Sequence, residues 1–193
     1  MKLRFLTAGI LVILAGVVSP ASAATLTIDA FGKLTGATGV DVGGTLYDVA
    51  FVDGSCITLF NGCDSAADFD FTTPTAANAA GQALLDQVLT GVFDLFPFLT
   101  FGCTGFSGCG ILTPWQMSND SVSLAITVNS VSSDFVFLSL EGFPSTYDTA
   151  LDSSDVYADW TVAAAPVPEP ASFALIAVGL AGFGVRRWWQ RKA

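Results

Sequence analysis

The chain has 193 residues, and only 12% of them are charged whereas 52% are hydrophobic. Residues 24–166 carry 16 acidic residues against a single base, Lys33, which argues against nucleic acid or anionic lipid as a partner because both require positive charge. The chain has no histidine, so neither a Ser-His-Asp nor a Cys-His catalytic site can be built from its own residues.

The N-terminus has the three parts of a secretory signal peptide. Lys2 and Arg4 precede an apolar run over residues 5–18, and the small residues Ala21, Ser22 and Ala23 form a cleavage site. We expect signal peptidase to cut after Ala23, so that residues 1–23 are the signal peptide and residues 24–162 are an exported ectodomain. An uncleaved signal anchor is the alternative.

Five segments have the alternation or the apolar run of a β-strand: residues 25–29, 45–53, 121–131, 135–140 and 156–163. Residues 45–53 are apolar on both faces, which predicts a central position in a sheet. Residues 121–131 alternate as an amphipathic strand and are expected to form an antiparallel hairpin with residues 135–140. The glycine-rich passage between residues 32 and 44 is predicted to be mostly loop.

Four cysteines lie in the exported segment, where thiols oxidise: Cys56, Cys63, Cys103 and Cys109. Three connectivities are possible, and the short glycine-containing loops favour Cys56–Cys63 with Cys103–Cys109. A zinc site is the weaker interpretation, since the spacings are longer than usual and the chain has no histidine.

One helix is predicted over residues 74–89. Thr73 supplies the N-cap and Pro74 the first turn, while Gly91 is the expected stop. Leu84, Leu85 and Val88 are expected on its buried face. The following segment, residues 93–101, contains four phenylalanines broken by Pro97, and it is expected either to pack as a satellite core or to form an exposed apolar patch.

The C-terminal segment reads as a stiff linker followed by a short membrane helix. Residues 163–170 contain three prolines, and residues 171–185 carry no charge. As a helix these 15 residues span about 22 Å, less than the roughly 30 Å hydrocarbon layer. We predict one transmembrane helix and a cytoplasmic tail over residues 171–193, held by the basic residues Arg186, Arg187, Arg191 and Lys192.

A resemblance to a known sorting signal rests on this segment. Val167, Pro168, Glu169 and Pro170, followed by the apolar run and the arginine cluster, resemble the PEP-CTERM signal of Gram-negative bacteria. The resemblance implies recognition by an exosortase, a membrane-embedded cysteine transpeptidase that cuts near the motif and passes the ectodomain on. The expected route is an inner-membrane intermediate, then the cell surface or extracellular matrix. A permanent anchor is the alternative.

Together these features predict an α+β ectodomain, mainly antiparallel β-sheet with one packed helix and two disulfides. A structural or interaction role at the surface is expected, without catalysis or a cofactor, and exopolysaccharide or another matrix component is a candidate partner. An extracellular carbohydrate- or calcium-binding module near Trp115, Trp160 or residues 93–101 is the alternative. Asp-rich segments leave a weak calcium site or a two-carboxylate enzyme as further alternatives.

Overall fold

A computed structural model describes residues 23–164 of the chain. They form one seven-stranded sheet, three α-helices and three short 3₁₀ helices. The strands are β1 (Thr25–Ile28), β2 (Leu34–Val42), β3 (Thr45–Val52), β4 (Gly108–Ser118), β5 (Ser121–Ser130), β6 (Phe135–Pro144) and β7 (Asp155–Val162). The α-helices are α1 (Cys56–Leu59), α2 (Pro74–Gln87) and α3 (Val92–Leu95), and the 3₁₀ helices are Ala66–Asp68, Pro97–Leu99 and Thr149–Leu151.

The strand order is β1-β2-β3-β7-β4-β5-β6. Within the described residues β4 and β7 pair in parallel, whereas every other neighbouring pair is antiparallel. The predicted class, mainly antiparallel sheet with one packed helix and two disulfides, is therefore confirmed for this part of the chain. The signal peptide and the C-terminal helix lie outside the described residues.

Helix α2 covers one face of the sheet, which we call the helix face. Its buried side is built from small residues around Leu84, and it packs mainly on β5, β6, β2 and β4. The core that it covers also includes Val49, Ile111 and Trp160. Thr73 caps the helix as predicted, because its hydroxyl accepts a hydrogen bond from the amide of Ala76 at 3.2 Å. The helix ends at Gln87, two residues before the predicted end.

The opposite face, which we call the loop face, is covered by the chain between β3 and α2. Phe60, Phe69 and the Cys56–Cys63 disulfide pack there on Leu112, Leu124 and Tyr157. This layer reaches only part of the sheet. On β6, Phe135 and Phe137 remain 48% and 43% exposed.

Two sequence predictions are wrong in the sheet. The glycine-rich passage contains β2, in which Gly36 lies so close to β3 that a Cβ there would collide with the carbonyl oxygen of Val49. Strand β5 was predicted to have one apolar and one solvent-facing polar side. Its polar residues Thr127 and Asn129 are instead fully buried beneath the helices. The predicted hairpin of β5 with β6 and the central position of β3 are confirmed.

Among residues 23–164, none of the helices is long and apolar enough to cross a membrane. The predicted membrane helix at residues 171–193 lies outside this part of the chain.

Candidate functional site

Both predicted disulfides are present. Cys56 and Cys63 have their Cα atoms 5.6 Å apart, and Cys103 and Cys109 have theirs 5.7 Å apart. The first closes the loop that covers the loop face, and the second joins the start of β4 to the segment before it. Each cross-link closes a short glycine-containing loop and so limits the conformations open to the unfolded chain.

Residues 92–107, between α2 and β4, carry five exposed large apolar side chains, and we call this segment the aromatic loop. Phe93 is buried and anchors it to the core, but Leu95 is 64% exposed and Phe106 is 78% exposed. The Phe98 ring lies 5.8 Å from the Phe96 ring and 5.1 Å from the Phe106 ring, measured between centroids. The segment is therefore part core and part apolar surface, so each of the two predicted alternatives holds for some of its residues.

Lys33 holds the aromatic loop in place. Its ammonium donates hydrogen bonds to the carbonyl oxygens of Phe98 and Cys103, the latter at 3.0 Å. The Phe101 amide donates to the Leu34 carbonyl at 2.9 Å, and Asn129 donates its side-chain amide to the Phe93 carbonyl at 2.8 Å. With the disulfide, these contacts make the loop a fixed surface. Sequence reasoning missed Lys33, although its being the single base in residues 24–166 was a visible signal.

The acidic residues near the start of β7 form a structural network. The Tyr147 hydroxyl lies 2.7 Å from Asp155 Oδ2 and 2.9 Å from Asp152 Oδ2, which ties the loop before β7 to the strand. Burial raises the pKa of Asp155, while hydrogen bonds from Ser154 lower the pKa of Asp152. Burial and the two carboxylates raise the pKa of Tyr147 well above its ordinary value. Tyr147 is therefore a neutral hydrogen-bond donor.

The second Asp-rich segment stabilises its own turn. The Asp68 carboxylate accepts hydrogen bonds from the amides of Asp64 and Ser65 at 3.1 and 3.0 Å. Desolvation raises the pKa of Asp68, but these bonds together with that from Asn61 outweigh it and lower the pKa. Within residues 23–164, no group of three or more acidic or cysteine side chains is arranged to hold a metal ion.

The two tryptophans named for a carbohydrate site are buried. Trp115 is 6% exposed and Trp160 is 3% exposed, and the Trp160 indole donates a hydrogen bond to the Thr113 hydroxyl at 3.2 Å. A sugar-stacking site needs an accessible ring face, which neither side chain provides. Of the three locations predicted for that alternative, only the aromatic loop presents exposed rings.

The predicted sorting residues begin shortly after the sheet ends. Strand β7 ends at Val162, and Ala163 and Ala164 complete the described chain. A family model for the PEP-CTERM protein-sorting motif matches residues 166–187. The chain carries a PEP-CTERM sorting domain. No significant match was found among curated proteins or among solved structures.

The PEP-CTERM match marks the chain as an exported protein that an exosortase sorts to the cell surface in a membrane-associated step. The matched residues include Val167, Pro168, Glu169 and Pro170 and extend to Arg187. Arg191 and Lys192 lie beyond the match. The individual roles of the motif residues and of the basic residues stay predictions, and so do the cleavage site and the domain boundaries.

Proposed function

We propose that the ectodomain of this PEP-CTERM protein is a non-catalytic surface component that acts by binding, after exosortase has removed residues 171–193. The observation that carries the proposal is the aromatic loop. Its exposed apolar side chains are held by a disulfide, a lysine and a buried phenylalanine, which is the arrangement expected of a preformed contact surface. A matrix component, such as exopolysaccharide, is the proposed partner.

The hydrogen bonds made by the aspartates of the Asp-rich loops support a role without catalysis. Asp68 and Asp152 are used to cap turns, and Asp155 is held by Tyr147, so these carboxylates already have structural partners. A general acid or base needs a carboxyl group that can reach a substrate and exchange a proton with it. The carboxylates of these loops are instead explained by the turns and contacts that they stabilise.

One experiment tests the processing half of the proposal. The full-length chain is produced in a host with its exosortase and in the same host lacking it, and the exported protein is analysed by intact mass in the cell-surface and medium fractions. We expect a surface form that has lost residues 1–23 and residues 171–193 only when the exosortase is present. A surface form that still contains Arg186 and Arg187 would overturn the processing step.

The binding half is tested by replacing two exposed rings of the aromatic loop. Phe96→Ser with Phe106→Ser should lower the ratio of surface-bound to free protein by about tenfold, since each exposed ring contributes apolar contact area. Phe31→Ser is the matched control, because Phe31 is 90% exposed and lies outside the loop. Equal retention of the two variants, with unchanged melting temperatures, would argue against the loop as the contact surface.

A further inference from the structure

Strand β6 is a sheet edge with no partner on its outer side among residues 23–164. Its inner side pairs with β5, from Phe135 opposite Val128 to Ser139 opposite Leu124. An edge strand presents a row of unpaired backbone N–H and C=O groups, and the ligand that satisfies such a row is another extended chain. We call residues 135–139 the β6 edge.

The side chains of the β6 edge are unusually apolar for an exposed strand. The Phe135 and Phe137 rings lie 5.9 Å apart on the loop face of the sheet, where the covering layer is missing. Phe137 also lines an open groove of about 380 Å³ together with Ile126, Val128 and Phe143. An incoming strand would therefore meet apolar surface beside the free backbone groups.

Charge is absent from the β6 edge although the ectodomain is strongly acidic. Residues 135–140 contain no ionisable side chain, and the nearest acids are Asp134 and Glu141. A second copy of the chain carries the same negative charge, and the repulsion between the two copies is weakest where the contact surface itself holds no charge. The opposite edge of the sheet is less suitable, because β1 has only four residues and Asp29 follows it directly.

We propose that two copies of the ectodomain associate by antiparallel pairing of their β6 edges around a two-fold axis at Phe137. In antiparallel pairing of a strand with itself, the numbers of directly opposed residues have an even sum, since both residues point to the same face. The numbers 134 and 141 have an odd sum, so Asp134 of one copy can never lie directly opposite Glu141 of the other copy. With Phe137 opposite its own copy, Phe135 lies opposite Ser139 and the four phenylalanines form one apolar cluster on the loop face.

The contact is short, so the dimer is weak. The pairing of β5 with β6 becomes irregular after Ser139, and Gly142 there has a φ of +73°. Bulges and edge charges limit strand addition in natural sheets, which restricts the dimer contact to about five residues on each copy. Salt should strengthen it, because the apolar contact persists while the repulsion between the two acidic ectodomains is screened.

The test uses sedimentation velocity on the chain purified in mild detergent from a host that lacks the exosortase, over a series of protein concentrations at low and high salt. We expect a monomer–dimer equilibrium whose dimer fraction rises with salt. Phe137→Glu should weaken dimerisation at least about tenfold, because two carboxylates then face each other at the axis. Phe31→Glu is the control of equal charge, since Phe31 is exposed but distant in sequence from the edge.

Cross-linking tests the register and does not depend on solution affinity. Phe137→Cys should yield a disulfide-linked dimer on non-reducing gels, whereas Leu151→Cys, at a side chain that is 89% exposed, should not. A protein that stays monomeric at about 100 μM in high salt, and whose Phe137→Cys variant forms no cross-link, would overturn the proposal. Oligomers that grow beyond two copies would also overturn it, because a two-fold contact closes after one pairing.

Discussion

Lys33 is one of the residues that hold the aromatic loop in place. Its ammonium group donates to two backbone carbonyls, those of Phe98 and Cys103, which lie on either side of the exposed Phe101. A charged donor makes stronger hydrogen bonds than a neutral one, and a half-buried carbonyl that loses its donor has to find water instead. The single base of an acidic ectodomain therefore has a structural function in holding a loop.

We predict that Lys33→Met lowers the free energy of unfolding by about 2–3 kcal/mol, because methionine keeps the length of the side chain but donates no hydrogen bond. Urea unfolding followed by tryptophan fluorescence measures the change. Gln82→Met is the control, since Gln82 is exposed on α2. A loss below about 0.5 kcal/mol would show that water replaces the ammonium without cost.

At the scale of elements, local signals were sufficient for α2, β3 and the β5–β6 hairpin. Thr73 and Pro74 specify the start of α2 through the geometry of its first turn, and this information is entirely local. Strand β2 was missed because its glycines are typical of loops, although Gly36 is required there by the close approach of β3. The polar residues of β5 were expected to face solvent because their burial depends on a helix distant in sequence.

The crossing of α2 over the sheet depends on a small residue at its centre. A Cβ atom at Gly81 would lie 2.6 Å from Thr127 Oγ1 and 2.8 Å from Val136 Cγ1, so Gly81 permits the helix to approach β5 and β6 closely. In an exposed helix the change from glycine to alanine would stabilise by about 1 kcal/mol through helix propensity. At this position the steric term opposes that gain.

We predict that Gly81→Ala destabilises the protein by about 1–2 kcal/mol, because overpacking in a close-packed core outweighs the gain in helix propensity. The melting temperature and the urea midpoint measure the change. The control is Gln82→Ala, which alters the next residue on the exposed side of the same helix and should shift stability by less than about 0.5 kcal/mol. A Gly81→Ala protein that is more stable than the parent would mean that β5 and β6 shift enough to accommodate the added methyl group.

The whole molecule combines a sorting signal that is recognisable in the sequence with a proposed binding surface that is not. The PEP-CTERM motif is linear, since its prolines, apolar run and arginines follow one another along the chain within residues 166–187. The exposed side chains of the ectodomain are distributed by tertiary structure instead. Phe106 and Phe137 are exposed whereas Phe69 and Phe71 are buried, and nothing in their local sequence distinguishes the two pairs.

Acidity gives the whole molecule a characteristic dependence on pH. Partial desolvation raises the pKa values of Asp53, Asp70, Asp155 and Asp159 above the ordinary value, with nearby acids adding to the effect for the first three. A carboxyl group with a raised pKa binds more protons in the folded state than in the unfolded state at mildly acidic pH. The linkage relation then requires stability to rise as pH falls through the raised pKa values towards about 4. Below that range Asp152, whose pKa is lowered, loses stabilising hydrogen bonds on protonation.

We therefore predict a higher melting temperature at pH 5 than at pH 7.5, contrary to proteins whose carboxylates are mostly paired with bases. Part of the gain comes from repulsion between surface acids and should shrink in high salt, whereas the part due to burial should persist. Asp159→Asn removes one half-buried carboxylate and should reduce the pH dependence that remains in high salt, while Asp86→Asn, on the exposed side of α2, should leave it unchanged. A melting temperature that falls steadily from pH 7.5 to pH 5 would show that the folded protein stabilises the charged form of these four carboxylates and would contradict the prediction.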